Sequence, residues 1–389
     1  MKKTLVALAA LAATSAFAQN AVSLYGVLDF GYSDIQKETA GAQDAGKKAF
    51  ALNSNDSSRW GLTGTEDMGN GMKASFKVEQ GIGSNPRAGL EKNNFNISGT
   101  NSGNGTTLDN TVIGDRELWA AIDVGNTNVK LGYGGTALRS LALATDAAGT
   151  NGTGNNIAHE AGVNRRAGVT LTQKVGAFTA SYQLSKNNDQ FVASSTTDTV
   201  KTNSGYNVGL TYAQGPLLVG IAQDKVRNVA PTAAANGTIN STYYAATIAA
   251  ATAVNSLTTT TVAAGSYDFG KVKAFAQYYS VNVDNEVSVN AAGEGKKKIY
   301  SLGLQAPIGA VTLLGQVNKG TNSQVGVATN AAEDRDMTGY TLGARYALSK
   351  RTYAYGYTGQ LKTAAGSVAA TYGSETIQKQ TSVGIVHSF

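Results

Sequence analysis

The chain has 389 residues, of which 42% are hydrophobic and only 15% charged, well below the roughly 25% of an ordinary soluble protein. A mean hydropathy of −0.17 argues against a helical membrane protein, and 18 Tyr, 10 Phe and 2 Trp are too many aromatics for a disordered one. There is no cysteine, so disulfides and thiolate metal sites are excluded, and His159 and His387 are too few for a typical zinc site. The net charge of +6 is mild and its basic residues are scattered, which does not point to nucleic acid.

Residues 1–18 read as a secretory signal peptide. Lys2 and Lys3 precede the apolar run Thr4 to Ala13, and Ala16-Phe17-Ala18 supplies a small-x-small cleavage pattern. A helix of that run rises only about 15 Å, half of a bilayer core. Residues 19–389 then form one unit. No later window approaches the ~18 uninterrupted apolar residues of a membrane-spanning helix.

The body alternates with the period of a strand. From Val22, one face is Val22, Leu24, Gly26, Leu28, Phe30 and Tyr32; the other is Ser23, Tyr25, Val27, Asp29 and Gly31. In the next well-formed segment Met72, Ala74, Phe76 and Val78 oppose Lys73, Ser75, Lys77 and Glu79. Phe178 to Ser185 and Tyr206 to Tyr212 repeat the pattern. Turn chemistry occurs at Asp67–Gly71, Gly125–Asn128, Gln214–Pro216, Phe269–Gly270, Pro307–Gly309 and Leu348–Arg351. Between these short turns lie long Gly/Asn/Thr/Ser-rich stretches at 33–56, 83–111, 136–163, 187–203, 229–255, 284–297, 320–335 and 363–377. The third contains the one helix-favouring run, Ala137 to Ala144. The alternation continues through Thr381 to the terminal Phe389.

Sixteen strands with strictly alternating short and long connections predict an all-β fold, a 16-stranded antiparallel transmembrane β-barrel. A sandwich would need Greek-key crossings that impose no such rhythm. Closure pairs every backbone group inside lipid, and a barrel of about 16 strands is wide enough for an aqueous channel. The low charge then divides between an apolar outer face and a polar lining.

Several segments resemble the general diffusion porins of Neisseria-like and other β-proteobacteria. They are Val22-Ser23-Leu24-Tyr25-Gly26, the hairpin Ser58 to Gly69, Leu348-Ser349-Lys350-Arg351-Thr352, and the ending Val383 to Phe389. The resemblance implies a Gram-negative outer-membrane homotrimer of barrels, each a pore for small ions and hydrophilic solutes. It implies that the third long loop folds inward as a constriction, and that Phe389 is the assembly signal read by the barrel-assembly machinery. No cofactor and no metal is implied.

Alternation places Arg59 and Lys77 on the water side, and Arg116 and Arg166 resemble the family's wall arginines. An inward loop would set Asp146 and Glu160 against these cations, a transverse field acting on permeating ions. Counting from an inward Arg116 turns Leu118 and Ile122 inward and Trp119 to lipid. With more wall cations than loop acids, a weak anion preference is expected. Ala21, Gly26 and Gly384 are small residues on the first and last strands that would permit close packing between barrels. The alternatives are an outer-membrane hydrolase, for which no Gly-x-Ser-x-Gly context exists, and a sugar channel using Tyr278-Tyr279 and Tyr243-Tyr244 as a stacking track. An adhesin would need a larger extracellular region than these loops supply.

Overall fold

The computed structural model describes residues 21–39, 42–43, 47–52, 58–82, 114, 116–149, 165–189, 201–228, 256–285, 295–325, 332–365 and 375–389. Its strands in chain order are β1 (Ala21–Thr39), β2 (Ala42–Gln43), β3 (Lys47–Leu52), β4 (Arg59–Gly69), β5 (Met72–Gly81), β6 (Glu117–Val124) and β7 (Thr127–Gly135). After helix α1 (Ala137–Ala144) follow β8 (Arg165–Val175), β9 (Phe178–Asp189), β10 (Lys201–Gln214), β11 (Leu217–Asn228), β12 (Ser256–Asp268) and β13 (Lys273–Asn285). The last five are β14 (Gly295–Ile308), β15 (Val311–Val325), β16 (Ala332–Ala347), β17 (Thr352–Thr363) and β18 (Thr376–Ser388).

All belong to one antiparallel sheet in which, from β4 onward, each strand pairs with its sequence neighbour, and β18 returns to β1 over Val27–Thr39. Strand β4 pairs with the lower part of β1 and β3 with its upper part, while β2 is a two-residue pairing at the top of β1. Counting β2, β3 and β4, which all pair along β1, as one stave leaves sixteen around a closed wall. Closure extends to the last residue. Phe389 donates its N–H to the Gly26 carbonyl at 3.0 Å and accepts from the Gly26 N–H at 3.1 Å.

The first long connection expected at 33–56 is therefore partly strand. Backbone pairing with β18 needs no apolar side chains, so hydrophobic alternation stops before the ladder does. At 19 residues β1 is far longer than the ~9–11 that cross a bilayer. Short turns occur at the six places where turn chemistry put them and at Gly176 between β8 and β9, several on residues that must tolerate positive φ, such as Asn70 at 53° and Gly176 at 58°.

Side chains sort by parity. Along β14, Tyr300, Leu302 and Leu304 are 56%, 61% and 54% exposed, whereas Ile299 and Ser301 between them are 0% and 3%. The exposed row continues through Val22, Leu24 and Phe30 on β1 and Val383 and Ile385 on β18. An apolar outer surface of this extent is unfavourable in water and suited to hydrocarbon. No helix among the described residues is long and apolar enough to cross a membrane; the strands do so. The small-residue patch expected from Gly26 and Gly384 is not presented outward. The Phe389 ring lies over Gly26, and Gly384 faces the Tyr355 hydroxyl on the inner side.

One buried apolar cluster is where α1 meets the wall, and a second gathers Ala148 with Val27, Leu314, Tyr355, Tyr357 and Val386. Leu138, Leu141 and Ala142 pack with Ala222, Val262, Tyr279, Val281 and Ile299, all of the parity opposite to the exposed row. The helix starts at Thr136, whose hydroxyl accepts the Arg139 N–H at 3.1 Å. It ends at Thr145, whose hydroxyl donates to the Leu141 carbonyl at 2.7 Å. The wall makes room for it with Gly209 and Gly220, since a Cβ at either would overlap Ala137 or crowd Leu141.

Candidate functional site

Near the ends of β4 to β8 on the long-connection side, basic side chains converge on one carboxylate. Lys77 and Glu79 share the inner face of β5, two residues apart as the pleat requires. Glu79, buried at 6% side-chain exposure, accepts from the Arg116 Nε at 2.7 Å and from the Tyr25 hydroxyl at 2.8 Å. Lys77 lies 3.3 Å from it, Arg59 3.7 Å and Arg165 4.0 Å. Lys77 also reaches Glu117 at 3.1 Å. Glu117 in turn accepts the Trp119 Nε1–H at 2.8 Å, and Lys130 stacks over the Trp119 ring. Charge-assisted contacts this short hold long side chains in one arrangement.

Arg139 of α1 faces the same group. Its burial, with Arg165 and Arg116 beside it, pushes the guanidinium down to about 10. It is therefore still charged at neutral pH, and the field around it is positive. Arg166 lies apart, held by Asp224 of β11 through Nε at 3.0 and 3.1 Å and Nη2 at 2.5 Å.

Four inward amides fix residues 137–148 across the wall. Asn207 Oδ1 accepts the Ala137 N–H at 2.8 Å. Gln277 Nε2 donates to the Ala142 carbonyl at 2.7 Å and to Thr145 Oγ1 at 3.0 Å. Gln305 Nε2 donates to the Ala147 carbonyl at 2.6 Å, and Gln316 Oε1 accepts the Ala148 N–H at 3.1 Å.

Arg59, Lys77 and Arg116 thus come together, while Arg166 is engaged with Asp224. Asp146 is buried, and its Oδ1 accepts the Ala148 N–H at 3.0 Å, so it is turned into the loop's own backbone. Glu160 lies outside the described residues. Parity counting from Arg116 fails. Arg116 sits in a bend before β6 rather than in the strand, so it faces Glu79 although Leu118 and Ile122 are exposed outward and Trp119 is inside. Of the paired tyrosines, Tyr279 is buried beneath α1 and Tyr278 packs on Tyr300 of the outer face; Tyr243 and Tyr244 lie outside the described residues.

Sequence reasoning missed Glu79, Arg165 and Arg139 as site residues. Glu79 had a usable signal, its shared face with Lys77. Arg165 has the wrong parity for an inward residue and reaches Glu79 only because it is the first residue of β8. Arg139 had none, because the position of a loop helix is not periodic.

A family model described as Gram-negative porin matches residues 4–366. The chain belongs to the Gram-negative porin family. It is 28% identical over 440 residues to an outer membrane porin protein of Bordetella pertussis, covering 99% of this chain and 98% of that one. It is also 28% identical over 410 residues to outer membrane porin protein 32 of Delftia acidovorans, over the full length of both. Among solved structures, the anion-selective porin from Comamonas acidovorans matches 95% of this chain and 100% of its own, with TM-score 0.60 and 21% identity. OmpT of Vibrio cholerae in its trimer form matches 95% and 99%, with TM-score 0.61 and 13% identity. The porin is an outer-membrane channel through which ions and small hydrophilic solutes diffuse passively. Its barrel architecture is that of a channel rather than of an enzyme.

Proposed function

We propose that this porin prefers anions, and that the basic cluster around Glu79 is its selectivity site. The observation that carries this reading is the set of four cations, Arg59, Lys77, Arg116 and Arg165, within 4.0 Å of one buried carboxylate. Adding Arg139 opposite them and Glu117 as the second acid leaves the group net positive. In a narrow aqueous passage, such a ring attracts an anion at close range and raises the barrier to a cation. Glu79 positions the cations without cancelling them. Arg166 contributes through Asp224, because removing the arginine would leave that carboxylate uncompensated. Residues 137–149, pinned to the inner wall by α1 and the amide contacts, narrow the passage beside the cluster. The solved porin from Comamonas acidovorans that shares the fold is anion-selective, which supports the same reading.

Reversal potentials under a salt gradient across a planar bilayer test it. The wild-type channel is expected to favour the anion, and Arg59→Gln with Arg166→Gln to move selectivity towards cations. A cation preference in the wild type overturns the proposal.

The working form is a homotrimer of barrels, supported by a porin of the same fold in a trimer form and by the exposed apolar residues Val22, Leu24 and Phe30 on β1. Residues 1–18 act as the signal peptide, so the outer-membrane protein begins at Gln19. Phe389 is recognised by the barrel-assembly machinery before it seals the seam with Gly26.

A further inference from the structure

Next to the ion-paired group the inner wall carries a tryptophan that neither anion preference nor barrel closure requires. Trp119 of β6 pairs with Lys77 of β5 on one side and with Gly132 of β7 on the other. It stands two residues beyond Glu117, about 7 Å along the strand towards the short turns. Two glycines of β7 make room for it. A Cβ at Gly132, where φ is 131°, would meet the Trp119 Cα and Cβ at 2.7 and 2.9 Å, and one at Gly134 would lie 3.2 Å from Cδ1. The indole edge is fixed as well, because Nε1–H donates to the Glu117 carboxylate that also holds Lys77. The ring is therefore held against the wall in one orientation. It is only half-buried, so part of it meets the lumen.

Lys130, the cation over this ring, differs from the other basic residues of the group. Lys77 bridges Glu79 and Glu117, and Arg116 bonds to Glu79. Lys130 pairs with no carboxylate among the described residues, and its ammonium lies 5.8 Å from the indole centroid. A cation–π contact at a wetted site is weak beside a charge-assisted pair. A permeating carboxylate can therefore draw the flexible lysine off the ring. Stacked aromatic rings lie with their centroids about 4.5–7 Å apart. A flat ring laid on the indole in place of the ammonium would carry its carboxylate to that same ammonium.

We propose that Trp119 and Lys130 form a subsite for aromatic carboxylates on the short-turn side of the basic cluster. This rests on the anion preference proposed above and adds a substrate class to it. The cations around Glu79 attract the carboxylate, and the indole favours those carboxylates that carry a flat ring. An aliphatic anion of the same charge meets the same cations and gains nothing from the ring.

Concentration-dependent block of single-channel current tests this with two probes of equal charge and similar size, benzoate and cyclohexanecarboxylate. In the wild-type channel benzoate should block at about fivefold lower concentration, the contribution of one stacked ring pair. Trp119→Phe should keep most of that ratio although it loses the bond to Glu117, and Trp119→Leu should bring it to one. Lys130→Gln should weaken both probes about threefold and leave their ratio unchanged. The ratio compares two anions in one channel, so a variant with altered pore charge still reports it. Trp119 can also be followed directly, because Trp60→Phe makes it the sole tryptophan of the chain. Its fluorescence should then be quenched saturably by 4-nitrobenzoate, over the concentrations at which that anion blocks the current. Equal block by the two probes in a channel that prefers chloride to potassium overturns the subsite and leaves the anion reading standing. A potassium preference overturns that reading, and the subsite with it. A fivefold ratio that survives in Trp119→Leu also overturns the subsite, giving the ring contact to Tyr25, over which Lys77 lies. The fluorescence measurement leaves Trp119 in place, so it decides the matter even where Trp119→Leu does not insert; quenching that fails to saturate overturns the proposal.

Discussion

Replacing Leu138 and Leu141 by alanine should release the segment proposed to narrow the pore while leaving the barrel intact. Both side chains are almost fully buried, at 0% and 2% exposure, against Val262, Tyr279 and Ile299. A buried Leu→Ala change costs about 2–5 kcal/mol, so the pair is worth roughly 4–10 kcal/mol if the two losses add. The polar attachment of residues 137–148 includes five hydrogen bonds to Asn207, Gln277, Gln305 and Gln316. At about 1 kcal/mol net apiece, they supply roughly 5 kcal/mol. The leucines therefore match or exceed the amides, and neither set alone should hold the segment permanently. Single-channel recording is the assay. Leu138→Ala alone should add open-channel noise with little change in mean conductance, and the double variant should raise the conductance itself. Sheet pairing does not involve these side chains, so the heat-modifiable electrophoretic mobility of a folded barrel should persist. A double variant with wild-type conductance and noise would refute the reasoning, since the segment would then be either held by its amides or irrelevant to the passage.

Glu79→Gln removes one negative charge from a ring of cations. For an ion passing about 6 Å away in water, that is about 0.7 kcal/mol for the anion and the opposite for the cation, or a roughly tenfold gain in the anion-to-cation ratio; an unchanged reversal potential would show that the permeating ion does not pass near Glu79. Anion preference should fall as pH climbs through about 10, where Arg139, its proton affinity lowered by burial, becomes neutral; Arg139→Gln should lose that component of the decline. Deleting Phe389 removes both backbone bonds to Gly26 and should leave unassembled protein, read by the absence of heat-modifiable barrel in outer-membrane fractions. Phe389→Ala keeps those bonds, so full insertion of that variant would assign the role to the backbone rather than the ring.

The helix Ala137–Ala144 was legible because Ala and Leu favour it and no turn residue interrupts the run. The inner partners of that helix were not legible. Asn207, Gln277, Gln305 and Gln316 look like any polar lining until the chain closes. Arg116 shows the limit of counting from a neighbour. Parity holds only within the ladder, and this residue stands in the bend that precedes it.

What the sequence alone determined was which face a side chain takes within the body of a strand, though not at its ends, as Arg116 and Arg165 show. Pleating is local, so alternate residues such as Phe76 and Lys77 must point to opposite sides, and the 15% charge had to divide between lipid and lumen. The turns likewise depend on residues adjacent in the chain. Only the tertiary structure decided which charges meet. Glu79 and Arg116 are 37 residues apart and Arg166 and Asp224 are 58 apart. Their contact depends on the closure and stagger of the sheet. Those are properties of the whole circumference, and no single strand encodes them.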